Sequence, residues 1–372
     1  MTRSQQPATV LAFDAARTRR QQARTAGLHP DYWYAVEYDK ALKWCGVRET
    51  RFWGQSIALF RDEKNEVHAV ENRCLHRHVK LSLGEVHKCT LVCPYHGWTY
   101  DGDGKLVGVA HELFGHGLPQ SRLRSYPVRI RYGLIWIFPG DPSLADTTPM
   151  PELPELEGKD RWACVPLDFT WQAHHSMIIE NVSDFTHAHL HRNYRPFSDA
   201  KLNYCEPQDG RVRLGYDVLV GDGRFSRHFV DRTKVNVNKM ELCFDYPHQW
   251  SNTDNRIKHW CFVLPMDARV TRVFFLFYFE SLRIPLTRIS IPRALMVPLL
   301  AVANRLMIKP LLMQDGMMVE AEQNAFDKQS NAPAIELNPA VLEFQRLIVA
   351  QWQRHLGKAE PDRAGREKTS GD

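Results

Sequence analysis

The chain of 372 residues reads as an α+β protein, a small all-β domain followed by a larger one built on an antiparallel sheet with helices. Three observations predict it. Short alternating apolar runs separated by turn residues fill roughly the first 140 positions. A Pro-rich break follows, then longer runs of β-branched and aromatic residues. Segments with helical apolar spacing flank those runs and close the chain.

In order, residues 1–28 form an N-terminal extension. Its first 27 positions hold Arg3, Arg17, Arg19, Arg20 and Arg24 against a single acid, Asp14. An Arg-rich, acid-poor start fits a transit peptide or a surface helix ahead of the domain, and the second is the commoner. Residues 29–148 form the small β domain. Within it Ile57–Phe60 and Val67–Val70 read as strands around the polar turn Asp62–Asn65. The run Tyr126–Phe138 alternates and stops at Pro139-Gly140, so it supplies the closing strands. Pro149-Met-Pro-Glu-Leu-Pro154 reads as a linker into the second domain, 149–356. There Arg211–Val220, Trp260–Leu264 and Val270–Phe279 are strands, and 178–191, 311–330 and 339–356 are helices. In the last of these Val341, Phe344, Leu347 and Ile348 recur at helical spacing. Residues 357–372 are charged, lack apolar spacing and read as a disordered tail.

Composition narrows the function classes. The length suits two domains, and 24% charged with 44% hydrophobic residues is ordinary for a globular enzyme. The formal charge of +5 is dispersed, with no basic block interleaved with aromatics, which excludes nucleic acid as the expected partner. No Gly-rich dinucleotide loop is present, so any nicotinamide cofactor must act through another protein. Six cysteines, Cys45, Cys89, Cys164, Cys205, Cys243 and Cys261, are scattered outside any motif. With no secretory signal, they read as reduced thiols of a cytoplasmic protein.

Two metal sites stand out. Cys74-x-His76 and Cys93-x-x-His96 lie sixteen residues apart, and two thiolates with two imidazoles are the set that holds a [2Fe–2S] centre able to pass single electrons. A structural zinc site takes similar ligands, but zinc fingers pair Cys with Cys and His with His at short spacing. The second site begins at His187. If 178–191 is helical, His187 and His191 share a face and His189 points away. Two neutral imidazoles so placed are a ready metal clamp, and the alternative is an exposed His-rich turn.

These stretches carry a family resemblance. Asn72–His78 with Cys93–Tyr100 resembles the Rieske fingerprint, including Pro94 between ligands and Gly97-Trp98 after the last; the usual Gly after His-Arg is His78 here. Asn181-x-x-Asp184-x-x-His187-x-x-x-His191 resembles the mononuclear iron motif of Rieske oxygenase catalytic subunits. Many members place the second His one residue later, where this chain has Arg192. Gln314-Asp-Gly-Met-Met-Val-Glu320 looks like the late helix from which the family draws its carboxylate, with Asp315 in the Asp-x-x-x-x-Glu position. Over about residues 30 to 350 the chain is identified as a member of the Rieske non-haem iron oxygenases, oxygenase (α) subunit.

The resemblance implies a Rieske domain followed by a helix-grip catalytic domain. It implies one [2Fe–2S] cluster on Cys74, His76, Cys93 and His96, and one Fe(II) on His187, His191 and Asp315. His189 is the alternative to His191, and Glu320 and Asp327 are lesser carboxylate candidates; Asp315 read alone is a helix cap. Asn181 and Asp184 join the catalytic set, with Asp184 bridging His96 of a neighbouring subunit to His187 in a head-to-tail homotrimer. Asp184 read alone is also an N-cap. Electrons come from NAD(P)H through a reductase and usually a ferredoxin, and oxygen is inserted into a bound substrate.

For the substrate, the segment 284–308 is unusually apolar and precedes the carboxylate. Prolines and arginines interrupt it too often for a spanning helix. It reads either as a buried core helix or as a greasy entrance touching a bilayer, suited to a sterol or steroid; in this the chain resembles Rieske oxygenases that act on sterols and related polycyclic lipids, including bacterial ones that oxidise a sterol methyl group. Dihydroxylation or O-demethylation of a small aromatic compound is the alternative. A Rieske electron-transfer protein without an oxygenase centre is the alternative of another class, against which the set Asn181, Asp184, His187, His191 and Asp315 speaks.

Overall fold

The computed structural model describes residues 11–158, 161–192, 197–220, 237–281 and 291–357. Most of the expected tail, the first ten residues, and 284–290 of the apolar segment lie outside them.

The small domain is built from three antiparallel sheets. Strands β1 (Tyr34–Tyr38), β9 (Val128–Arg131) and β10 (Leu134–Ile137) pair in the order β1-β10-β9. Strands β2 (Val47–Phe52), β3 (Gln55–Arg61) and β4 (Val67–Glu71) form a meander, and β5 (Glu85–His87), β6 (Thr90–Val92), β7 (Thr99–Tyr100) and β8 (Leu106–Gly108) form another. The β3–β4 hairpin falls where the sequence predicts. Asn65 there takes a positive φ of 67°, and the Asp62 carboxylate accepts from the Glu66 amide at 2.9 Å. A local apolar cluster, including Phe60, Leu91, Tyr100 and Leu123, backs the loops that carry Cys74 and Cys93.

The second domain holds a seven-stranded antiparallel sheet. Its strands are β11 (Ala163–Trp171), β12 (Phe197–Gln208), β13 (Arg211–Val220), β14 (Val237–Asp245), β15 (His248–Thr253), β16 (Ile257–Pro265) and β17 (Thr271–Phe279). They lie in the order β11-β17-β16-β15-β14-β13-β12. The helices are α1 (Arg19–Ala23), α2 (His175–Ser183), α3 (Arg293–Ala303), α4 (Lys309–Gln329) and α5 (Pro339–His355). A single π turn, Asn304–Ile308, joins α3 to α4. This is the α+β fold expected, an all-β module followed by an antiparallel sheet gripping helices.

Strand alternation explains how the sheet serves both sides. On β15, Gln249 points to α2 and donates to the Ile179 carbonyl at 2.7 Å. Its neighbour His248 faces the small domain, where Trp136 of β10 packs edge-on at 5.7 Å. Phe262 of β16 lies on that same side, 4.9 Å from Trp136. Trp136 is fully buried; truncating it would cost about 3–5 kcal/mol. The amides of Trp53 and Gly54, at the β2–β3 turn, donate to the Pro265 and Met266 carbonyls at 2.7 Å each, clasping the two sheets.

Two expectations need correction. The predicted helix over 178–191 ends at Ser183, because the Asp184 backbone turns extended and its side chain caps a separate short 3-10 segment, Phe185–His189. The Arg-rich start is not simply a surface helix. α1 is short, Arg24 just after it is 5% exposed, and its guanidinium binds Glu180 of α2 and Glu322 of α4. The N-terminal segment thus straps the helices that carry the second candidate site.

Candidate metal centres

The four residues of the first motif meet at the tip of the small domain. The Cys74 thiol lies near enough to Cys93 to help raise the latter's pKa, and the His76 and His96 rings meet edge to face with centroids 4.5 Å apart. Tyr100 Oη touches Cys74 Sγ at 3.3 Å and accepts the Leu75 amide at 3.0 Å, tying one loop to β7. Trp98 stacks flat on His76 at 5.0 Å, and its indole N–H donates to His111. Burial pushes the Cys93 thiol above its ordinary pKa, and burial with the nearby His96, Arg77 and His111 holds His76 below its own. His76 Nδ1 is buried with no protein partner. Two adjoining thiols, two adjoining imidazoles and an orphaned ring nitrogen fit a [2Fe–2S] cluster.

Loop shape is exacting here. His78 occupies the left-handed region at φ 59°, where the fingerprint usually has glycine. Gly97 has φ 65°, and a Cβ there would meet the Ala110 methyl at 2.4 Å, so only glycine fits beside His96.

The second centre forms where the 3-10 turn after α2 meets α4. His187, His191 and Asp315 each offer a ligand atom, all within 4.8 Å of one another. His187 Nε2 lies 3.5 Å and His191 Nε2 3.2 Å from Asp315 Oδ1. That oxygen and His187 Nδ1 are buried without a hydrogen-bond partner. Two buried donors and the half-buried His187 converge on one point, which is the arrangement a metal completes. His191 and Asp315 are 1% and 7% exposed in their side chains. Burial lowers the His187 pKa and favours the neutral, ligating imidazole; at His191 burial acts the same way, but the Asp315 carboxylate and Gln314 outweigh it and raise the pKa.

The two imidazoles converge without a continuous helix. Their centroids are 5.1 Å apart because the turn at Phe185–His189 runs on through Leu190 N–H to the His187 carbonyl and His191 N–H to the Ala188 carbonyl. His189 is exposed and sits against Arg192 at 3.4 Å, outside the cluster. Asp315 lies inside α4, not at its cap. Glu320 and Asp327 are engaged elsewhere, Glu320 with the Gln172 amide at 2.9 Å and Asp327 with Arg269 at 3.1 Å.

Asp184 and Asn181 line a groove that opens beside His187. Asp184 Oδ1 accepts from the Thr186 amide at 3.0 Å, the Thr186 hydroxyl at 2.6 Å and the Asn338 amide at 3.0 Å. The cap reading of Asp184 therefore holds for Oδ1, and a bridge to another subunit would use Oδ2.

Some contributors lie beyond the sequence motifs. Gln314 Oε1 stands 3.0 Å from His191 Nδ1 and orients that ring; its one signal is adjacency to Asp315. Phe197, at the start of β12, packs on both imidazoles at 5.9 Å. Trp171 of β11 lies so near α4 that a Cβ on Gly316 would come within 2.4 Å of its indole nitrogen. Another group, Asp62, Glu66 and His68, also lies within 4.8 Å, but its Asp62 carboxylate is engaged by the hairpin turn.

Comparison with known proteins follows the same division. Residues 32–119 match the family model of the Rieske [2Fe-2S] domain, and 171–357 match that of the vanillate O-demethylase oxygenase C-terminal domain. The chain is 45% identical to the 4beta-methylsterol monooxygenase of Methylococcus capsulatus (strain Bath) over 350 residues, 93% of this chain and 94% of that one. It is 34% identical to the dicamba O-demethylase oxygenase component of Stenotrophomonas maltophilia over 175 residues, 45% of this chain and 46% of that one. The crystal structure of dicamba monooxygenase bound to dicamba superposes with a TM-score of 0.72 at 21% identity, covering 89% of this chain and all of that one.

Proposed function

The chain belongs to the Rieske non-haem iron oxygenases, and from that premise we propose that it is the terminal oxygenase of a monooxygenase that oxidises a methyl group of a sterol or related steroid. One observation carries the sterol reading. Likeness to the 4beta-methylsterol monooxygenase runs nearly end to end, whereas likeness to the dicamba O-demethylase covers less than half of either chain. Substrate-shaping residues sit in the catalytic half, so relatedness across that half bears on substrate where relatedness of a shared cluster domain does not. The vanillate-type C-terminal match favours a second reading, O-demethylation of a small aromatic compound.

In this reading Cys74, His76, Cys93 and His96 hold the [2Fe–2S] cluster within a domain spanning 29–148, and His187, His191 and Asp315 hold Fe(II) within one spanning 149–356. The bound iron supplies oxygen activation and the cluster supplies single electrons to it. The chain's own residues prepare that site. Gln314 Oε1 accepts a hydrogen bond from His191 Nδ1–H and so leaves Nε2 facing Asp315. Trp171, packed on Gly316, and Phe197, packed on both imidazoles, keep water from the ligand atoms. Asp184, held through Oδ1 by Thr186 and Asn338, presents its other oxygen to His96 of the next copy in a head-to-tail homotrimer, with Asn181 beside it. Electrons reach the cluster from NAD(P)H through a ferredoxin or reductase in the cytoplasm.

The test is turnover of the holoenzyme with a surrogate ferredoxin and reductase, offered a 4-methylsterol and an aromatic methyl ether in parallel. Oxygenated sterol products with no loss of the ether methyl support the proposal. Exclusive demethylation of the ether refutes it in favour of the aromatic reading. Two irons per chain rather than three would reduce the protein to electron transfer.

A further inference from the structure

The long helix that carries Asp315 has a second face that the metal centre does not use. From Leu295 to Gln329 it is 35 residues long, and its most apolar stretch is only 17% buried. Many of its apolar side chains are not in the core. Leu295, Leu299, Val302 and Leu306 recur at offsets of four, three and four, one stripe along the helix, and are 57%, 48%, 57% and 64% exposed. Met296 and Leu300, on the other side, are 1% and 3% exposed and anchor the helix to the domain. The core-helix expectation for this segment therefore fails over its described part, 291–308.

A stripe of exposed leucines costs solubility unless something covers it. The charge pattern indicates what does. Between Glu280 and Asp315 there is no Asp or Glu, while Arg283, Arg288, Arg293, Arg305 and Lys309 all fall in that stretch. Arg305 and Lys309 are exposed beside the stripe. A two-fold contact between identical copies would set these like charges against one another, and the head-to-tail contact proposed above runs through Asp184 and the groove beside His187, which the stripe does not line; an anionic lipid surface matches both the apolar stripe and its basic margin. Nor does the helix span: Asp315 sits with His187 and His191, and Met296 and Leu300 are packed inside the domain, so one side of it is held by protein.

We infer that this face is a docking surface for an anionic bilayer, with the helix lying in the interfacial plane and the stripe Leu295, Leu299, Val302 and Leu306 entering the acyl boundary. The docked face lies on α3 and the π turn that runs on into α4, the helix of Asp315, so the membrane surface and the second metal centre are joined along one continuous stretch of helix. The inference rests on exposure and charge and is read without turnover, so its failure is distinguishable from failure of the sterol reading.

Vesicle flotation of the holoenzyme tests it, with phosphatidylcholine alone and with about 30% phosphatidylglycerol added. The parent is expected to float with the anionic vesicles, less so in high salt or with neutral ones. L299E/L306E is expected to lose at least about tenfold of its bound fraction while keeping the parent's melting temperature and iron content. R305E/K309E, which leaves the stripe intact, is expected to lose the preference for anionic lipid. A parent that stays at the bottom of the gradient, or a leucine variant that floats as well as the parent, overturns the inference. So does a parent assembly that the leucine variant dissociates in the absence of lipid, which would assign the face to a second copy.

Discussion

Replacing Gln314 with Leu isolates one hydrogen bond at the second metal centre. Its Oε1 stands 3.0 Å from His191 Nδ1, and the His191 side chain is 1% exposed, so no bulk water can take the place of the amide. A buried N–H left without an acceptor costs about 1–3 kcal/mol. With the proton on Nδ1, that cost is borne chiefly by the state in which Nε2 binds metal. At about 1.4 kcal/mol per factor of ten, Q314L should bind Fe(II) roughly 5- to 150-fold more weakly, spanning the 10–100-fold typical of groups that orient metal ligands. Competition against a chromophoric Fe(II) chelator, with the cluster loaded and its absorbance unchanged, measures this. Q314E keeps an acceptor at the same place and should bind iron at least as well as the parent. Q314L within about twofold of the parent, or Q314E as weak as Q314L, would refute the argument that Gln314 orients the ligand.

Three further outcomes are expected. H191A should lose one iron per chain and all turnover, while H189A keeps both, because His189 is exposed beside Arg192; iron analysis of the two variants decides it. D184N, which keeps an oxygen for the Thr186 cap, should melt within about 1 kcal/mol of the parent and retain both centres yet turn over far more slowly; unchanged cluster-to-iron electron transfer would remove the intersubunit bridge. His175 and His248 are buried with pKa values lowered to about 3 by desolvation, so each is neutral in the fold and protonates near 6.5 when unfolded. Their contribution is complete above pH 6.5 and is lost as pH falls toward 3, at about 1.4 kcal/mol per pH unit for each; H248N should show a shallower acid limb of melting temperature against pH, and an unchanged slope would contradict the assignment.

Much of this protein is local, and local chemistry is what a sequence displays. Cys74 with His76 and Cys93 with His96 lie two and three residues apart on loops, so their order already determines which donors meet at the cluster tip. The β3–β4 hairpin, β13, β17 and α5 are legible for the same reason, since alternation and helical spacing are properties of neighbours along the chain. Strands β12 and β15 are not. β12 is exposed along most of its length and β15 is mostly polar, and pairing within a seven-stranded sheet holds them extended.

Only the tertiary structure decides the rest. The break at Asp184 comes from its carboxylate capping the turn after it and holding Asn338 from a distant loop, a competition between local geometries that helical spacing does not register. Asp315 reaches His191 across more than a hundred residues because α4 is held beside β11 through Gly316 and Trp171, a closeness no local pattern encodes. Burial is decided the same way. Leu299 and Leu300 are chemically identical neighbours in one apolar run, yet one faces outward and the other the core, because a helix turns about 100° per residue and only the packed domain determines which side is covered.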